Sequence, residues 1–292
     1  MLFPGEKGLE KGAESTYNVS APGKEKRRGR ETIASRRGRA LGKKDSFMKA
    51  AVFGAGNMGL DIAQVFAVKG HDVVVRDISD ELIQKGEERL KASLARQVEK
   101  GRRTQAEADA ISAKIVFTTN MRQAADADLI VEAIVENVSI KKDLFRQLDT
   151  IVKPEAIFAT NTSSISPTEL ASATKRADRF IGMHFFNPAT VMKLIEVIRG
   201  ANTSQETFTT VYELAESLGK EPIEVAEAPG FVVNKILIPM INEAIGLVET
   251  GVATPEDIDK AMRHGANHPM GPLALGDLIG LDVVLAIMNT LY

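Results

Sequence analysis

A histidine and a glutamate occur on two neighbouring strand-like segments of the chain. His184 lies in the run 179–188 and Glu196 in the run 193–198, with a turn-forming Asn187-Pro188 pair between them. We assume that the two runs pair antiparallel with His184 opposite Glu196, which brings the side chains within hydrogen-bonding reach. A carboxylate on one ring nitrogen leaves the other nitrogen free to take a proton from a hydroxyl group. The pair therefore predicts the acid–base chemistry that oxidation of an alcohol by hydride transfer requires.

Two other histidines have the spacing of metal ligands on a helix. Gly265 lies between His264 and His268 and Pro269 follows them, so a helix should not continue through His268. The chain contains no cysteine, which excludes thiolate ligands, iron–sulfur clusters, disulfides and a cysteine nucleophile. We therefore predict no metal site.

A glycine-rich turn joins a strand-like run, 49–53, to the helical pattern of 60–68. It consists of Gly54, Ala55, Gly56, Asn57, Met58 and Gly59. Glycines in this context permit a tight turn, let the backbone approach a pyrophosphate and let helix and strand pack closely. Asp77 ends the next strand, eighteen residues beyond Gly59, where a carboxylate accepts hydrogen bonds from the ribose of NAD. Arg76 beside it leaves NADP as the alternative, because a guanidinium pairs with a 2′-phosphate.

These residues need a parallel sheet to hold them. The apolar runs 114–118, 128–132 and 156–160 are separated by helical patterns, which predicts a doubly wound α/β sheet. Ligands of such sheets lie beyond the carboxyl ends of the strands. That rule directs attention to residues 132–137 and to the segment that begins at Asn161 and contains Ser163.

The composition is that of a globular protein. Of 292 residues, 44% are hydrophobic and 26% are charged, and no run approaches eighteen apolar residues. Residues 1–47 hold 12 Lys and Arg against 6 Asp and Glu, which leaves 25 against 33 in the remainder. An acidic folded part argues against nucleic acid as a partner. We expect a cytoplasmic protein that does not span a membrane.

The segment 1–47 differs from the rest of the chain. It lacks a sustained apolar period and has two arginine-rich runs, which is typical of solvated coil. Its glutamates argue against an organelle presequence. We interpret it as a disordered or non-native extension, with a targeting or nucleic-acid tail as the alternative and Met48 as a natural start.

Six ordered motifs make the chain similar to a known family, the short-chain L-3-hydroxyacyl-CoA dehydrogenases, and in particular to the bacterial 3-hydroxybutyryl-CoA dehydrogenases. The motifs are Gly54–Gly59, Glu132–Asn137, Asn161–Ser164, Gly182–Pro188, Pro229–Asn234 and Asn267–Leu273. The resemblance runs from Met48 to the end of the chain. It implies a Rossmann-like NAD-binding domain, 48–229, followed by a smaller all-helical domain, 230–292, for substrate binding and dimerisation. It also implies a homodimer with acyl-CoA held between the two domains.

The resemblance assigns roles residue by residue. It makes His184 the catalytic base and Glu196 its orienting carboxylate, and it places Ser163 and Asn234 at the reacting end of the substrate. Further positions on the cofactor side are Glu136, Lys141, Asn161 and Asn187. Ser93 and Lys100 correspond to positions that contact CoA. The activity that follows is hydride transfer between NAD and the C3 hydroxyl carbon of an L-3-hydroxyacyl-CoA, in fatty-acid or butyrate metabolism.

The C-terminal end departs from the family pattern. Relatives continue beyond the position of Tyr292 for roughly one more pair of helices. We therefore interpret the helical domain as truncated, and we expect the apolar stripe of Leu281, Val284, Leu285 and Met288 to lose its cover.

Two alternative functions stay open at this point. A related dehydrogenase of a free hydroxy acid such as gulonate would keep His184 and Glu196 but have less use for Lys100 near a CoA phosphate. A non-catalytic dinucleotide-binding protein would bind NAD without turnover, and it would have no need of the His184–Glu196 pair.

Overall fold

The computed structural model describes residues 48–292. The predictions for residues 1–47 lie outside this range. Within it residues 49–226 alternate strands and helices, and residues 233–291 are helical. The strands are β1 (Lys49–Phe53), β2 (Asp72–Arg76), β3 (Ile115–Thr118), β4 (Leu129–Glu132), β5 (Ile157–Thr160), β6 (Phe180–Phe185), β7 (Leu194–Arg199) and β8 (Glu221–Ala226). The helices between them are α1 (Asn57–Val68), α2 (Asp80–Glu99), α3 (Gln105–Ala113), α4 (Val138–Ile151), α5 (Pro167–Ala171) and α6 (Gln205–Ser217).

The strands form one sheet in the order β3-β2-β1-β4-β5-β6-β7-β8. The first six strands in this order are parallel, β7 runs antiparallel to β6, and β8 is parallel to β7. The prediction of a doubly wound sheet is confirmed. The edge strand β8 has no counterpart among the strands predicted from sequence, because Pro222 and two glutamates interrupt its apolar pattern.

Apolar side chains cover both faces of the sheet. One buried cluster joins β1 and β2 to helices α1 and α6, for example through Phe66 and Val211. The other joins β1 and β5 to α4, where Phe53, Phe145 and Phe158 are fully buried. Because both faces are covered, the central strands β4, β5 and β6 are buried along their length, and their carboxyl ends form a rigid edge.

Four helices follow the sheet. They are α7 (Val233–Glu249), α8 (Pro255–Gly265), α9 (Pro272–Ile279) and α10 (Leu281–Leu291). Their shared core holds Ile238 and Ile241 of α7 against Val284 and Leu291 of α10. Helix α8 ends at Gly265, as predicted, so His268 lies outside the helix that carries His264. The fold class is thus a Rossmann-like sheet followed by a helical domain.

The apolar stripe of α10 is covered in part. The expectation that it lacks cover is wrong for Val284, which is buried, and for Met288, which packs against the α7–α10 core. Leu281 and Leu285 are 52% and 61% exposed. Among residues 48–292, no single helix is long and apolar enough to cross a membrane. Only α9 and α10 together pass that test of length and composition, and they meet at a bend of 98°.

Candidate active site

The predicted register of β6 and β7 is confirmed, since His184 and Glu196 are paired residues of the antiparallel ladder. His184 Nδ1 lies 2.8 Å from Glu196 Oε2, and both side chains are buried. A carboxylate is only an acceptor, so Nδ1 carries the proton of this hydrogen bond. The free electron pair of the imidazole is therefore on Nε2.

The second oxygen of Glu196 contacts the helical domain. Glu196 Oε1 accepts hydrogen bonds from the backbone N–H groups of Val232 and Val233, each at 3.0 Å, at the first turn of α7. Burial raises the pKa of the Glu196 carboxyl, but the hydrogen bond with His184 and the two backbone N–H groups outweigh it and hold the pKa below its usual value. Glu196 therefore stays ionised while it connects the imidazole to α7.

Helix α7 also carries Asn234 into the same region. Its side-chain amide donates to the Ser163 carbonyl oxygen at 3.4 Å, across the junction between the sheet and the helical domain. Asn234 is buried directly after the two residues that Glu196 holds. One carboxylate thus holds both the imidazole of His184 and the helix turn that positions Asn234.

The glycine turn has the shape that a pyrophosphate needs. Gly54 has φ +111°, and a Cβ there would lie 2.4 Å from the Ala133 carbonyl oxygen. A Cβ on Gly59 would lie 1.9 Å from the Gly54 carbonyl oxygen, whereas a Cβ on Gly56 would meet open space. Two glycines are therefore required for packing, and the third leaves a gap in front of the backbone at the start of α1.

Asp77 closes the other side of this turn. Its carboxylate accepts hydrogen bonds from the backbone N–H groups of Ala55 at 2.6 Å and Ile78 at 2.7 Å. Arg76 donates through Nε to the Thr119 carbonyl oxygen at 3.3 Å. The open Gly56 and the carboxylate at the end of β2 fit the pyrophosphate and the adenosine ribose of NAD.

A buried ionic network lies at the ends of β4 and β5. Glu132 is fully buried and binds Lys141 Nζ at 2.5 Å and the Thr160 hydroxyl at 2.7 Å. Lys141 also contacts Glu136 at 3.1 Å. Burial raises the pKa of the Glu136 carboxyl, but Lys141, the Thr162 hydroxyl and the backbone N–H of Ser163 together bring it below its usual value.

Beside this network lies a cavity of about 840 Å³, which we call the central cavity. It brings together five predicted site residues, and helix α10 forms its opposite wall. The five are Met58, Glu136, Lys141, Asn161 and Ser163. The Asn161 side-chain oxygen accepts from the Phe185 backbone N–H at 2.8 Å, so this residue also holds the end of β6.

A second cavity, of about 630 Å³, lies between α2, its following turn and the loop after β6; we call it the basic cavity. Both predicted CoA positions, Ser93 and Lys100, line it. Further cations in its lining are Arg96, Arg102, Arg103, Lys193 and Lys220. A smaller neighbouring cavity of about 400 Å³ shares Ser93 and Arg96 with it and contains Asn57 and Asn187.

Lys220 holds the loop that carries Asn187. Its ammonium donates to the carbonyl oxygens of Ala189 at 2.5 Å and Met192 at 2.7 Å. Burial lowers the pKa of Lys220 despite the opposing charge of Asp61. The loop wall of the basic cavity is thereby fixed to the start of β8. In the part of the chain that the structure describes, no group of three or more His, Cys, Asp or Glu side chains is arranged to hold a metal ion.

Comparison with known proteins decides the family. The model of the 3-hydroxyacyl-CoA dehydrogenase NAD binding domain matches residues 49–228, and that of the C-terminal domain of the same enzymes matches residues 230–292. The chain belongs to the 3-hydroxyacyl-CoA dehydrogenase family. It is an NAD-dependent oxidoreductase, which confirms the resemblance drawn from the six sequence motifs.

Three relatives align with most of this dehydrogenase and over most of their own length. It is 57% identical to the 3-hydroxybutyryl-CoA dehydrogenase of Clostridioides difficile, over 84% of this chain and 87% of the relative. It is 41% identical to the mitochondrial hydroxyacyl-coenzyme A dehydrogenase of Homo sapiens, over 89% and 85%. The crystal structure of (S)-3-hydroxybutyryl-CoA dehydrogenase from Ralstonia eutropha superposes with a TM-score of 0.82 at 50% identity, covering 85% of this chain and 87% of that one.

Sequence reasoning missed several parts of the dehydrogenase site. It did not find the hydrogen bonds of Glu196 to α7, the buried partner Glu132 of Lys141, or the α10 wall of the central cavity. A fully buried glutamate at the end of an apolar strand was a usable signal for Glu132, because such a carboxylate requires a cation. The other two contacts join segments far apart in the chain and leave no local pattern.

Proposed function

We propose that this dehydrogenase interconverts L-3-hydroxybutyryl-CoA and acetoacetyl-CoA. The observation that carries the proposal is the buried His184–Glu196 pair, bonded at 2.8 Å at the carboxyl edge of a sheet whose first turn fits a dinucleotide. Relatives named 3-hydroxybutyryl-CoA dehydrogenase, which are 57% and 50% identical, support the four-carbon substrate.

His184 acts as the base. With Nδ1–H held by Glu196, its Nε2 takes the proton of the substrate hydroxyl while the C3–H bond breaks and the C=O bond forms. Bound NAD supplies the acceptor for the hydride that leaves C3. Glu196 stabilises the imidazolium that results, and in the reverse direction the imidazolium returns its proton to the ketone oxygen.

Polar groups around the base orient the two ligands. Ser163 and Asn234 lie across the junction between sheet and helices, where their side chains are suited to bind the oxygen of the reacting carbon. Glu136, Lys141 and Asn161 line the central cavity and are assigned to the cofactor side, as is Asn187 beside the basic cavity. Polar groups fixed at these points lower the barrier because they need little rearrangement during the reaction.

The basic cavity supports CoA as the carrier of the substrate. CoA contains a diphosphate and a 3′-phosphate, and seven residues of this cavity, Ser93, Lys100 and the five further cations, offer hydroxyl, ammonium and guanidinium donors. A free hydroxy acid such as gulonate would have no group to place there.

One assay separates the three functions. The rate of NADH oxidation is measured with acetoacetyl-CoA and with free acetoacetate at equal concentrations. We expect turnover with the thioester and at least tenfold lower kcat/KM for the free acid, since the contacts of the CoA phosphates are lost. Preference for the free acid would favour the hydroxy-acid enzyme, and NADH binding without turnover would favour a non-catalytic protein.

We further propose a homodimer formed through the helical domain, 230–292, which follows the NAD-binding domain, 48–229. Large apolar side chains of α7, α9 and α10 are exposed, and water-facing apolar patches commonly mark protein interfaces. Ile236 is 67%, Leu278 71% and Leu285 61% exposed. Sedimentation equilibrium should give twice the chain mass, and a monomer at micromolar concentration would contradict the proposal.

We also propose that the enzyme works in the cytoplasm, in fatty-acid or butyrate metabolism. Both of its ligands, NAD and a CoA thioester, are intracellular metabolites. Cell fractionation should recover the activity in the cytosolic fraction.

A further inference from the structure

Helix α10 presents two apolar faces, and only one is needed for packing. Val284, Met288 and Leu291 pack on α7 with Ile238 and Ile241. A second set, Val283, Ala286, Ile287 and Thr290, follows the spacing i, i+3, i+4, i+7 and lines the central cavity. Three of these four side chains are apolar, and Ile287 also touches the α7–α10 core. The helix is therefore more apolar than its contact with α7 requires.

The wall opposite α10 contains both polar and apolar side chains. Ser163 and Asn161 are polar, and Ser163 is connected to Asn234, which we place at the reacting end of the substrate. The apolar side chains in this wall are Ile134, Val138 and Ile165. The lining also contains Ser164, Ser166 and Glu169, and Asp282 at the start of α10. The central cavity thus combines hydrogen-bonding groups with apolar side chains on both walls, which suits a ligand with a polar reacting carbon and an alkyl tail.

The volume of the cavity exceeds the needs of a four-carbon acyl group. Ligand cavities commonly measure about 300–1,000 Å³, and the central cavity measures about 840 Å³. Only one methyl group of a 3-hydroxybutyryl chain lies beyond the reacting carbon. Even with Glu136 and Lys141 left to the cofactor, the apolar part next to α10 is available to a longer tail.

We propose that this apolar part of the central cavity binds the alkyl tail of the acyl-CoA beyond carbon 3, and that Ala286, flanked by Val283 and Ile287, sets the chain length that the enzyme accepts. The inference rests on the proposed function and names a specificity determinant for it. Ala286 is the smallest side chain of the α10 wall, so its position has the least side-chain volume between the helix and the tail.

The test changes the wall in both directions. Ala286→Phe fills the cavity, Val283→Ala enlarges it, and Asn289→Phe is the matched control, because Asn289 is an exposed neighbour on α10 outside the cavity lining. For each variant and for wild type, kcat/KM is measured with acetoacetyl-CoA and with the six-carbon 3-ketohexanoyl-CoA. We call the kcat/KM for the six-carbon thioester divided by the kcat/KM for the four-carbon thioester the chain-length ratio. KM for NADH is measured in parallel.

We expect Ala286→Phe to lower the chain-length ratio by about tenfold or more, since one methylene in an apolar pocket changes specificity by about 10- to 200-fold. Val283→Ala should raise the ratio, and Asn289→Phe should leave it within about twofold of wild type. If wild type uses only the four-carbon thioester, the same inference requires Val283→Ala to gain turnover of the six-carbon one.

Two results would overturn the inference alone. One is an unchanged ratio in both cavity variants of an enzyme that turns over acetoacetyl-CoA. The other is a raised KM for NADH in Ala286→Phe without a change in the ratio, which would assign the α10 wall to the cofactor. Absence of turnover with every thioester in wild type would instead overturn the proposed function, and the inference with it.

Discussion

At the scale of single residues, the site depends on carboxylates that are held by more than one donor. Glu196 binds an imidazole on one oxygen and two backbone N–H groups on the other, and Asp77 binds the N–H groups of Ala55 and Ile78. A carboxylate held in this way has one orientation, so the group it serves is fixed as well. Changes at His184 and Asp77 should therefore affect separate functions, catalysis and cofactor choice.

Replacement of His184 should remove the base without harm to cofactor binding. We expect His184→Ala to lower kcat by a factor on the order of 10² to 10⁴, with the Kd for NADH close to that of wild type. His264→Ala is the control, since His264 is an exposed residue of α8. Stopped-flow turnover and fluorescence titration with NADH measure the two quantities, and a His184→Ala rate within about threefold of wild type would reject the assignment.

Replacement of Asp77 should reduce the selectivity of the enzyme for NADH over NADPH. A carboxylate at this position is expected to accept hydrogen bonds from ribose hydroxyls and to repel a 2′-phosphate, with which the neighbouring Arg76 is able to pair. We expect wild type to prefer NADH and Asp77→Ser to narrow the ratio of the two kcat/KM values. Steady-state kinetics with NADH and with NADPH give the two kcat/KM values for each variant. A wild-type preference for NADPH would mean that Arg76 dominates.

At the scale of elements, Glu196 joins strand β7 to helix α7. Its carboxylate bonds the His184 imidazole through one oxygen and the backbone N–H groups of Val232 and Val233 through the other. Helix α7 begins without a side-chain cap of its own at Val232, so the carboxylate from the sheet satisfies two of its free N–H groups. Protonation of Glu196 should therefore weaken the connection between sheet and helices.

The acid stability of the enzyme should reflect this connection. Because the pKa of Glu196 is depressed in the folded state, its contribution to stability is complete above the unfolded value of about 4.3 and is lost as the pH falls through the folded pKa. We expect Glu196→Gln to be less stable than wild type at pH 7, with the difference shrinking below about pH 4.3. Urea unfolding at several pH values gives the free energies.

The control for this experiment is Glu169→Gln, on an exposed carboxyl of α5 that pairs with Lys142 at the surface. Its stability difference from wild type should be small at every pH, because exposed ion pairs contribute little. A Glu196→Gln difference that is the same at pH 3.5 as at pH 7 would contradict the linkage of Glu196 ionisation to folding.

At the scale of the whole molecule, charge is distributed unevenly. Residues 48–292 carry 25 Lys and Arg against 33 Asp and Glu, yet six cations line the basic cavity next to α2. They are Arg96, Lys100, Arg102, Arg103, Lys193 and Lys220. We expect this local basic region in an acidic molecule to attract the phosphates of an acyl-CoA.

Removal of one of these cations should weaken the binding of the thioester and leave the binding of NADH unchanged. We expect Arg103→Ala to raise KM for acetoacetyl-CoA roughly tenfold, with KM for NADH unchanged, and the effect should shrink as salt screens the charges. Arg146→Ala, on an exposed part of α4, is the control. A parallel increase of KM for NADH would show that the basic cavity serves the cofactor instead.

The sequence by itself determined the sheet except for its edge strand β8, the glycine turn and the His184–Glu196 pair. Each of these is local or periodic: glycines at fixed spacing, apolar runs alternating with helical patterns, and two short strands joined by one turn. The antiparallel pairing of β6 and β7 followed because their residues are close in the chain, and the observed register sets His184 opposite Glu196. The family also followed from ordered motifs of this local kind.

Only the tertiary structure decided how the helical domain completes the site. The bonds of Glu196 to Val232 and Val233 and the α10 wall at Ala286 join residues far apart in the chain. The sequence predicts an uncovered apolar stripe on α10, but α7 covers Val284 and Met288, and Val283 and Ala286 line the central cavity. Hydrophobic burial has no direction, so the apolar pattern alone does not say which side chains enter the core, which line the cavity and which stay exposed. Tertiary packing decides among the three.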